Sequence, residues 1–144
     1  MADQYAVFFD ENVQLGDTPS TEFFPHAKYA GLELHLPIRP SLNETDTGDV
    51  QLRLETSLIE TWEDWQKHTV NIDDQLVGYI GDPNDGQRRS ETFILTVSKQ
   101  TFDAIAGGYY TLSIICGSAK PGLIDDFELR KIAVAGANIK LGWS

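Results

Sequence analysis

The chain has 144 residues, of which 41% are hydrophobic, a size and composition that fit one globular domain over residues 1–144 and exclude a disordered tail. Its 22 acidic residues outnumber its 11 basic residues, and the net charge of −11 argues against a phosphate-backbone partner, so we expect no nucleic-acid binding. Cys116 is the only cysteine, which excludes an intrachain disulfide, and its apolar neighbours indicate a buried thiol rather than a nucleophile.

No stretch of the sequence approaches the ~20 apolar residues that a membrane-spanning helix needs. The segment Met1–Tyr5 lacks the basic and apolar regions of a secretory signal peptide. We therefore expect no membrane span, and a protein that is cytoplasmic or is exported by a route independent of that signal.

Two strands are predicted in the first 40 residues. Tyr5–Phe9 is a short apolar strand, and Asp10–Ser20 is a polar loop. Leu32–Ile38 alternates apolar and polar residues, as a half-buried strand does. Because proline cannot donate a hydrogen bond to a neighbouring strand, Pro37 favours an edge position or a strand end.

A further alternating strand is predicted at Val50–Thr56. The segment Ser57–Lys67, which carries Trp62 and Trp65, is ambiguous between a turn of helix and an irregular connection.

The next elements form a hairpin, a loop, a strand and one short helix. Thr69–Asp73 and Leu76–Ile80 flank the turn of a predicted tight hairpin. Gly81–Gln87 is rich in turn-forming residues and predicts a loop. Phe93–Val97 alternates like a strand, and Ser98 can cap a short helix that runs to Ile105.

Three more strand regions complete the chain, around Tyr110–Ile114, Phe127–Ile132 and Ala137–Trp143. The total is eight to ten short strands, and their alternation favours antiparallel pairing. Long helices that would alternate with the strands of a parallel sheet are absent from the pattern. The sequence therefore predicts an all-β antiparallel sandwich with one short helix.

Three stretches together resemble a known group of domains. The first is Trp62–Trp65 leading into Val70–Gly78, the second is the step from Val97 to Ile114, and the third is Ile124–Leu129. In this order they resemble the galactose-binding-like jelly rolls found as bacterial carbohydrate-binding modules. The resemblance covers about half the chain and implies a jelly-roll β-sandwich with a non-catalytic binding role.

Aromatic side chains are the first candidates for ligand contact, because sugars present flat C–H faces that stack on aromatic rings. Trp62 and Trp65, with His68 close by, are the preferred candidates. The alternative is that at least one of the two tryptophans belongs to the core. Tyr79, Tyr109 and Trp143 are further aromatics that could stack on a sugar.

The polar faces of the two alternating strands are the second candidate site. They carry Glu33, His35, Gln51, Arg53 and Glu55. If these strands were neighbours in a concave sheet, the side chains would form one hydrogen-bonding surface. The alternative is a solvated sheet face with cross-strand charge pairs.

A structural calcium ion is the predicted cofactor, with Asp125 and Asp126 as its candidate ligands. The resemblance of the closing strand implies this role, since a matching aspartate binds calcium in some related families. The alternative is an aspartate-rich turn in which Asp125 caps backbone donors. No glutamate stands at the offset that a calcium-loop signature requires after Asp82–Gly86.

Sequence motifs give little support for catalysis. The three histidines lack metal-ligand spacing, and neither a nucleophile elbow nor a phosphate-binding glycine loop is present. We therefore expect a binding module, with carbohydrate as the first ligand hypothesis. The alternative is a structural or assembly subunit, for example of a phage particle, an injection machine or a homo-oligomer, whose partner is a protein.

Overall fold

The computed structural model describes residues 5–16, 19, 22–42, 49–59, 68–80, 89–98, 109–120, 123–124 and 127–142. Thirteen strands lie within these residues. In chain order they are β1 (Ala6–Phe9), β2 (Val13–Leu15), β3 (Lys28–Gly31), β4 (Glu33–Leu42), β5 (Val50–Ile59), β6 (His68–Ile72), β7 (Gln75–Ile80), β8 (Arg89–Val97), β9 (Tyr110–Ile115), β10 (Ser118–Lys120), β11 (Leu123–Ile124), β12 (Phe127–Ala135) and β13 (Ala137–Leu141).

The strands form two main sheets and one small hairpin. A six-stranded sheet has the order β3-β2-β12-β5-β8, and β1 also pairs with β12. A five-stranded sheet has the order β13-β4-β9-β6-β7, and β10 pairs only with β11. Every pairing is antiparallel except that of β2 with β3.

The hydrophobic core lies between the two main sheets. β5 buries Val50, Leu52 and Leu54, and β9 buries Leu112 and Ile114 from the opposite side. Alternate residues of both strands point away from this core, as the period of two requires. The predicted all-β sandwich is confirmed at this level, whereas the predicted helix at Ser98–Ile105 falls almost entirely outside the described residues.

The predicted hairpin is confirmed as β6 and β7. Its turn consists of Asp73 and Asp74, which both have positive φ, 48° and 66°, as a type I′ turn requires. Asp73 also bonds to β9, because its N–H donates to the Thr111 carbonyl at 3.0 Å and its Oδ1 accepts from the Thr111 N–H at 2.8 Å. The turn is thereby anchored to the next strand of the sheet.

The expected edge or terminal position of Pro37 is wrong. Pro37 lies inside β4, which has β13 on one side and β9 on the other. Its carbonyl accepts from the Gly142 N–H at 2.9 Å, just past the last residue of β13. The N and C=O of one strand residue point to the same edge, so the missing N–H of Pro37 faces a place where the neighbouring strand has ended.

Two regions contain more strand than the alternation predicted. The expected loop Asp10–Ser20 includes β2, whose three residues are all buried. β12 extends to Ala135, and Gly136, with φ of 85°, then turns the chain into β13 of the other sheet. A Cβ at Gly136 would lie 3.0 Å from the Asp49 carbonyl oxygen, so both the backbone angle and the space favour glycine there.

Candidate functional site

The outward face of the five-stranded sheet carries a group of polar side chains around Ile115, which we call the His35 platform. It forms because the register of β4, β9, β6 and β7 aligns their outward residues in two rows. The first row pairs Glu33 with Ile115, Ile115 with Thr69, and Thr69 with Tyr79; the second pairs His35 with Ser113 and Ser113 with Asn71. We define the platform as Glu33, His35, Thr69, Asn71, Tyr79 and Ser113.

A chain of hydrogen bonds links three of these side chains. His35 Nδ1 lies 2.7 Å from Ser113 Oγ, and His35 Nε2 lies 3.3 Å from Glu33 Oε1. The serine hydroxyl both donates and accepts, so it can bond to either tautomer of the imidazole. Glu33 and His35 are each more than half exposed, and their pair is ionic only when the imidazole is protonated. The contribution of this pair to stability is therefore small, and both side chains face solvent.

The other end of the platform combines an amide, a hydroxyl and an aromatic ring. Asn71 Nδ2 donates to Thr69 Oγ1 at 3.2 Å. This bond fixes the orientation of the amide, and the amide oxygen takes no part in it. Tyr79 lies directly opposite Thr69 and is 50% exposed. From Glu33 to Tyr79 the row crosses three inter-strand spacings, roughly 14 Å.

Ser113, His35 and Glu33 have the residue types of a hydrolase triad. Acyl transfer also requires N–H donors directed at the developing oxyanion beside the nucleophile. Ser113 lies in the middle of β9, opposite His35 of β4 on one side and Asn71 of β6 on the other. The peptide groups around it therefore form the hydrogen bonds of the sheet. This geometry suits a hydrogen-bonding surface for a ligand better than a reaction centre.

The single polar surface expected from β4 and β5 does not form. His35 and Glu33 lie on the five-stranded sheet, whereas Arg53 and Glu55 lie on the six-stranded sheet. Because both strands direct their apolar sides into the same core, their polar sides point to opposite outer surfaces of the sandwich.

Arg53 instead packs within the outer face of its own sheet. Its guanidinium carbon lies 4.5 Å from the ring centroid of Tyr5, whose hydroxyl donates to Gln51 Oε1 at 2.8 Å. Arg53 Nε is buried without a hydrogen-bond partner among the described residues. Glu55 lies on the same face, opposite Lys131 of β12. The Tyr5 ring therefore covers one face of the Arg53 guanidinium group.

The expectation that His68 contacts a ligand is not met in this structure. His68 is fully buried, and its ring centroid lies 4.5 Å from that of Phe127 in the other sheet. Its Nδ1 accepts a hydrogen bond from the Gly117 N–H at 2.8 Å. The imidazole therefore contributes to the core and links β6 to the end of β9.

The remaining predicted site residues, Trp62, Trp65, Asp125 and Asp126, lie outside the described residues, as does Trp143. Their roles as sugar-stacking and calcium-binding residues stay predictions. Within the part of the chain that the structure describes, no group of three or more His, Cys, Asp or Glu side chains is arranged to hold a metal ion.

Three platform residues were missed by sequence reasoning. Thr69, Asn71 and Ser113 stand at outward positions of β6 and β9, and the alternation of those strands gives that information. Their positions beside one another, and the contact of Ser113 with His35, depend on strand order, which the alternation does not give.

Comparisons with models of protein families, with curated proteins and with solved structures found no match. Among the described residues, no helix has the length and apolarity needed to cross a membrane.

Proposed function

We propose that this chain is a non-catalytic carbohydrate-binding module whose ligand lies across the His35 platform. The observation that carries the proposal is the half-exposed ring of Tyr79, which shares one sheet face with the imidazole of His35, the amide of Asn71 and the hydroxyl of Ser113. An aromatic ring flanked by fixed polar groups is the composition that a sugar-binding surface needs.

The polar groups match the hydrogen-bonding chemistry of sugar hydroxyls, which donate and accept at the same atom. Glu33 supplies acceptors, and Asn71 supplies its amide oxygen and a second amide hydrogen, whereas the two ring nitrogens of His35 are already bonded to Ser113 and Glu33. The bond between His35 and Ser113 restricts the imidazole before ligand arrives, which lowers the entropy cost of binding.

The predicted tryptophan contacts are compatible with this location. Trp62 and Trp65 precede β6 in the sequence, and β6 enters the sheet at His68. His68 is adjacent to Thr69, which lies opposite Tyr79 in the first row of the platform. In sequence, the tryptophans therefore precede the strand that supplies Thr69 and Asn71 to the platform.

The strand order supports a jelly roll of the galactose-binding-like kind as the scaffold. β9 inserts between β4 and β6, and β12 pairs with β5, so several neighbours in each sheet are distant in sequence. Such long-range antiparallel pairing is a property of Greek-key and jelly-roll sandwiches.

A glycan array probed with the labelled protein tests the proposal. Calcium and EDTA buffers are compared, because Asp125 and Asp126 are predicted calcium ligands. We expect hits that share a terminal sugar and that disappear with Tyr79→Ala. Tyr29→Ala is the matched control, since Tyr29 is 41% exposed and lies on β3 of the other main sheet.

A blank array from folded protein contradicts carbohydrate binding and favours the alternative, a structural or assembly subunit with a protein partner. Hits that survive Tyr79→Ala with full affinity contradict the platform as the site and move the search to the tryptophan segment.

A further inference from the structure

Among the described residues, strand β8 is the outermost strand of the six-stranded sheet on the side of β5. It is nine residues long and pairs with β5 without a register shift from Val97 to Glu91. Within the described part of the chain, no other strand pairs with it. Exposed edges of this length and regularity are available for pairing with another chain.

The other outermost strands contain features that limit such pairing. β3 has four residues and begins with the exposed Lys28, and β13 has five residues and carries the exposed Lys140. β7 is interrupted by a bulge at Val77. Short length, lysine and bulges are known means of preventing edge-to-edge association. β8 begins with Arg89 but has neither lysine nor proline, and its register is regular over the seven residues from Glu91 to Val97.

The sequence of β8 is also nearly palindromic about Ile94. Antiparallel pairing with a second copy, centred on Ile94, places Ile94 opposite Ile94, Phe93 opposite Leu95, and Thr92 opposite Thr96. Ser90 lies opposite Ser98, whereas Glu91 lies opposite Val97 and is the one mismatch between Ser90 and Ser98. Side chains opposite each other in a ladder share a face of the sheet, so like polarity meets like polarity at the other positions.

We propose that two copies of this chain associate through β8 in an antiparallel, two-fold symmetric ladder centred on Ile94. The pairing joins the two six-stranded sheets into one continuous sheet. It is isologous, because the same strand is used by both partners, and it closes after two copies. The His35 platform lies on the other sheet, so this proposal does not depend on the proposed function.

Burial and charge both favour this partner. Ile94 is 55% exposed on the outer face, and Phe93 and Leu95 are only partly buried on the inner face, so pairing covers apolar groups on both faces. Glu91 is the only charged residue between Ser90 and Ser98. In the two-fold ladder the two Glu91 residues are six positions apart, roughly 20 Å, which is beyond the screening length of physiological salt.

The first test measures mass against concentration for the full chain, from micromolar to several hundred micromolar, by light scattering or sedimentation. We expect a shift from one chain mass to two. Ile94→Lys and Ile94→Glu each remain monomeric, because two like charges meet at the two-fold axis. An equimolar mixture of these variants restores the dimer. Leu76→Lys, at a position that is 52% exposed on β7, is the matched control and dimerises like the wild type.

A cross-linking test fixes the register. Opposed residues in an antiparallel ladder have Cα atoms about 4.5–5.5 Å apart, which is within disulfide range. Ile94→Cys is therefore expected to form a covalent dimer on oxidation. Ser90→Cys does not, because its own copy lies eight positions away along the ladder. The buried Cys116 is present in both variants and serves as background.

Two results overturn the proposal. One is a wild-type protein that stays monomeric at several hundred micromolar. The other is a dimer that forms normally with Ile94→Lys, or in which Ile94→Cys fails to cross-link, because that dimer uses another surface. Circular dichroism and thermal melting of every variant show that a monomer is folded, so loss of fold is not mistaken for loss of pairing.

Discussion

The backbone N–H of Gly117 donates a hydrogen bond to Nδ1 of His68 at 2.8 Å, deep inside the sandwich. Both residues are buried, so the N–H has no exposed route to bulk water. The histidine ring also contacts Phe127 of the opposite sheet. One side chain thereby ties together two strands of one sheet and the core side of the other.

Replacing His68 with phenylalanine keeps an aromatic ring beside Phe127 but removes the acceptor. We expect a loss of about 1–3 kcal/mol in unfolding free energy, because a buried N–H is left unpaired. Chemical denaturation measures this loss. His68→Asn is the control for the hydrogen bond, since its Oδ1 can replace Nδ1 although the ring contact is lost. Unchanged stability in His68→Phe would show that the N–H finds another acceptor.

The turn residue Asp73 combines positive φ with a side-chain bond to Thr111. Asp73→Ala is expected to lower stability by about 1–2 kcal/mol, because alanine tolerates the left-handed region poorly and provides no acceptor. Asp73→Asn retains both properties and should lie close to the wild type. Equal melting temperatures for the two variants would contradict this account.

Gly136→Ala tests the link between β12 and β13. Alanine at positive φ costs about 1–2 kcal/mol, and at this position the added Cβ also lies 3.0 Å from the Asp49 oxygen. Gly142→Ala is the matched control, because Gly142 has φ of 87° and nothing within 4 Å of an added Cβ. We expect both variants to melt below the wild type, with Gly136→Ala the lower. The reverse order would rule out the close approach as the cause.

Trp62→Ala and Trp65→Ala test the predicted role of the tryptophan segment. If these residues stack on a sugar, each change removes glycan affinity, measured by calorimetry with an array hit, and leaves the melting temperature nearly unchanged. A variant that instead unfolds the protein identifies its tryptophan as a core residue. Tyr29→Ala again controls for the loss of an exposed aromatic ring.

The strands themselves could be predicted because a half-buried strand repeats every two residues. This pattern located β4, β5, β9 and the hairpin of β6 with β7. It could not assign the strands to sheets, because the apolar sides of β4 and β5 face one core from opposite directions. For this reason His35 and Arg53 were expected on one surface and lie on two.

Only part of the candidate site could be predicted from the sequence. In β6, His68 has the same parity as the buried Val70 and Ile72, so the alternation already indicates an inward imidazole. The neighbours of His35 depend on long-range register, which places Ser113 78 positions away along the chain. No local pattern contains that information.

The strand β12 is paired along both sides, with β5 on one and with β1 and β2 on the other. Phe9 of β1 pairs with Ile132, which is synthesised more than 120 residues later, so this pairing cannot form until then. At typical rates of translation this delay is on the order of ten seconds. The early apolar segments therefore lack their strand partner for that time during synthesis.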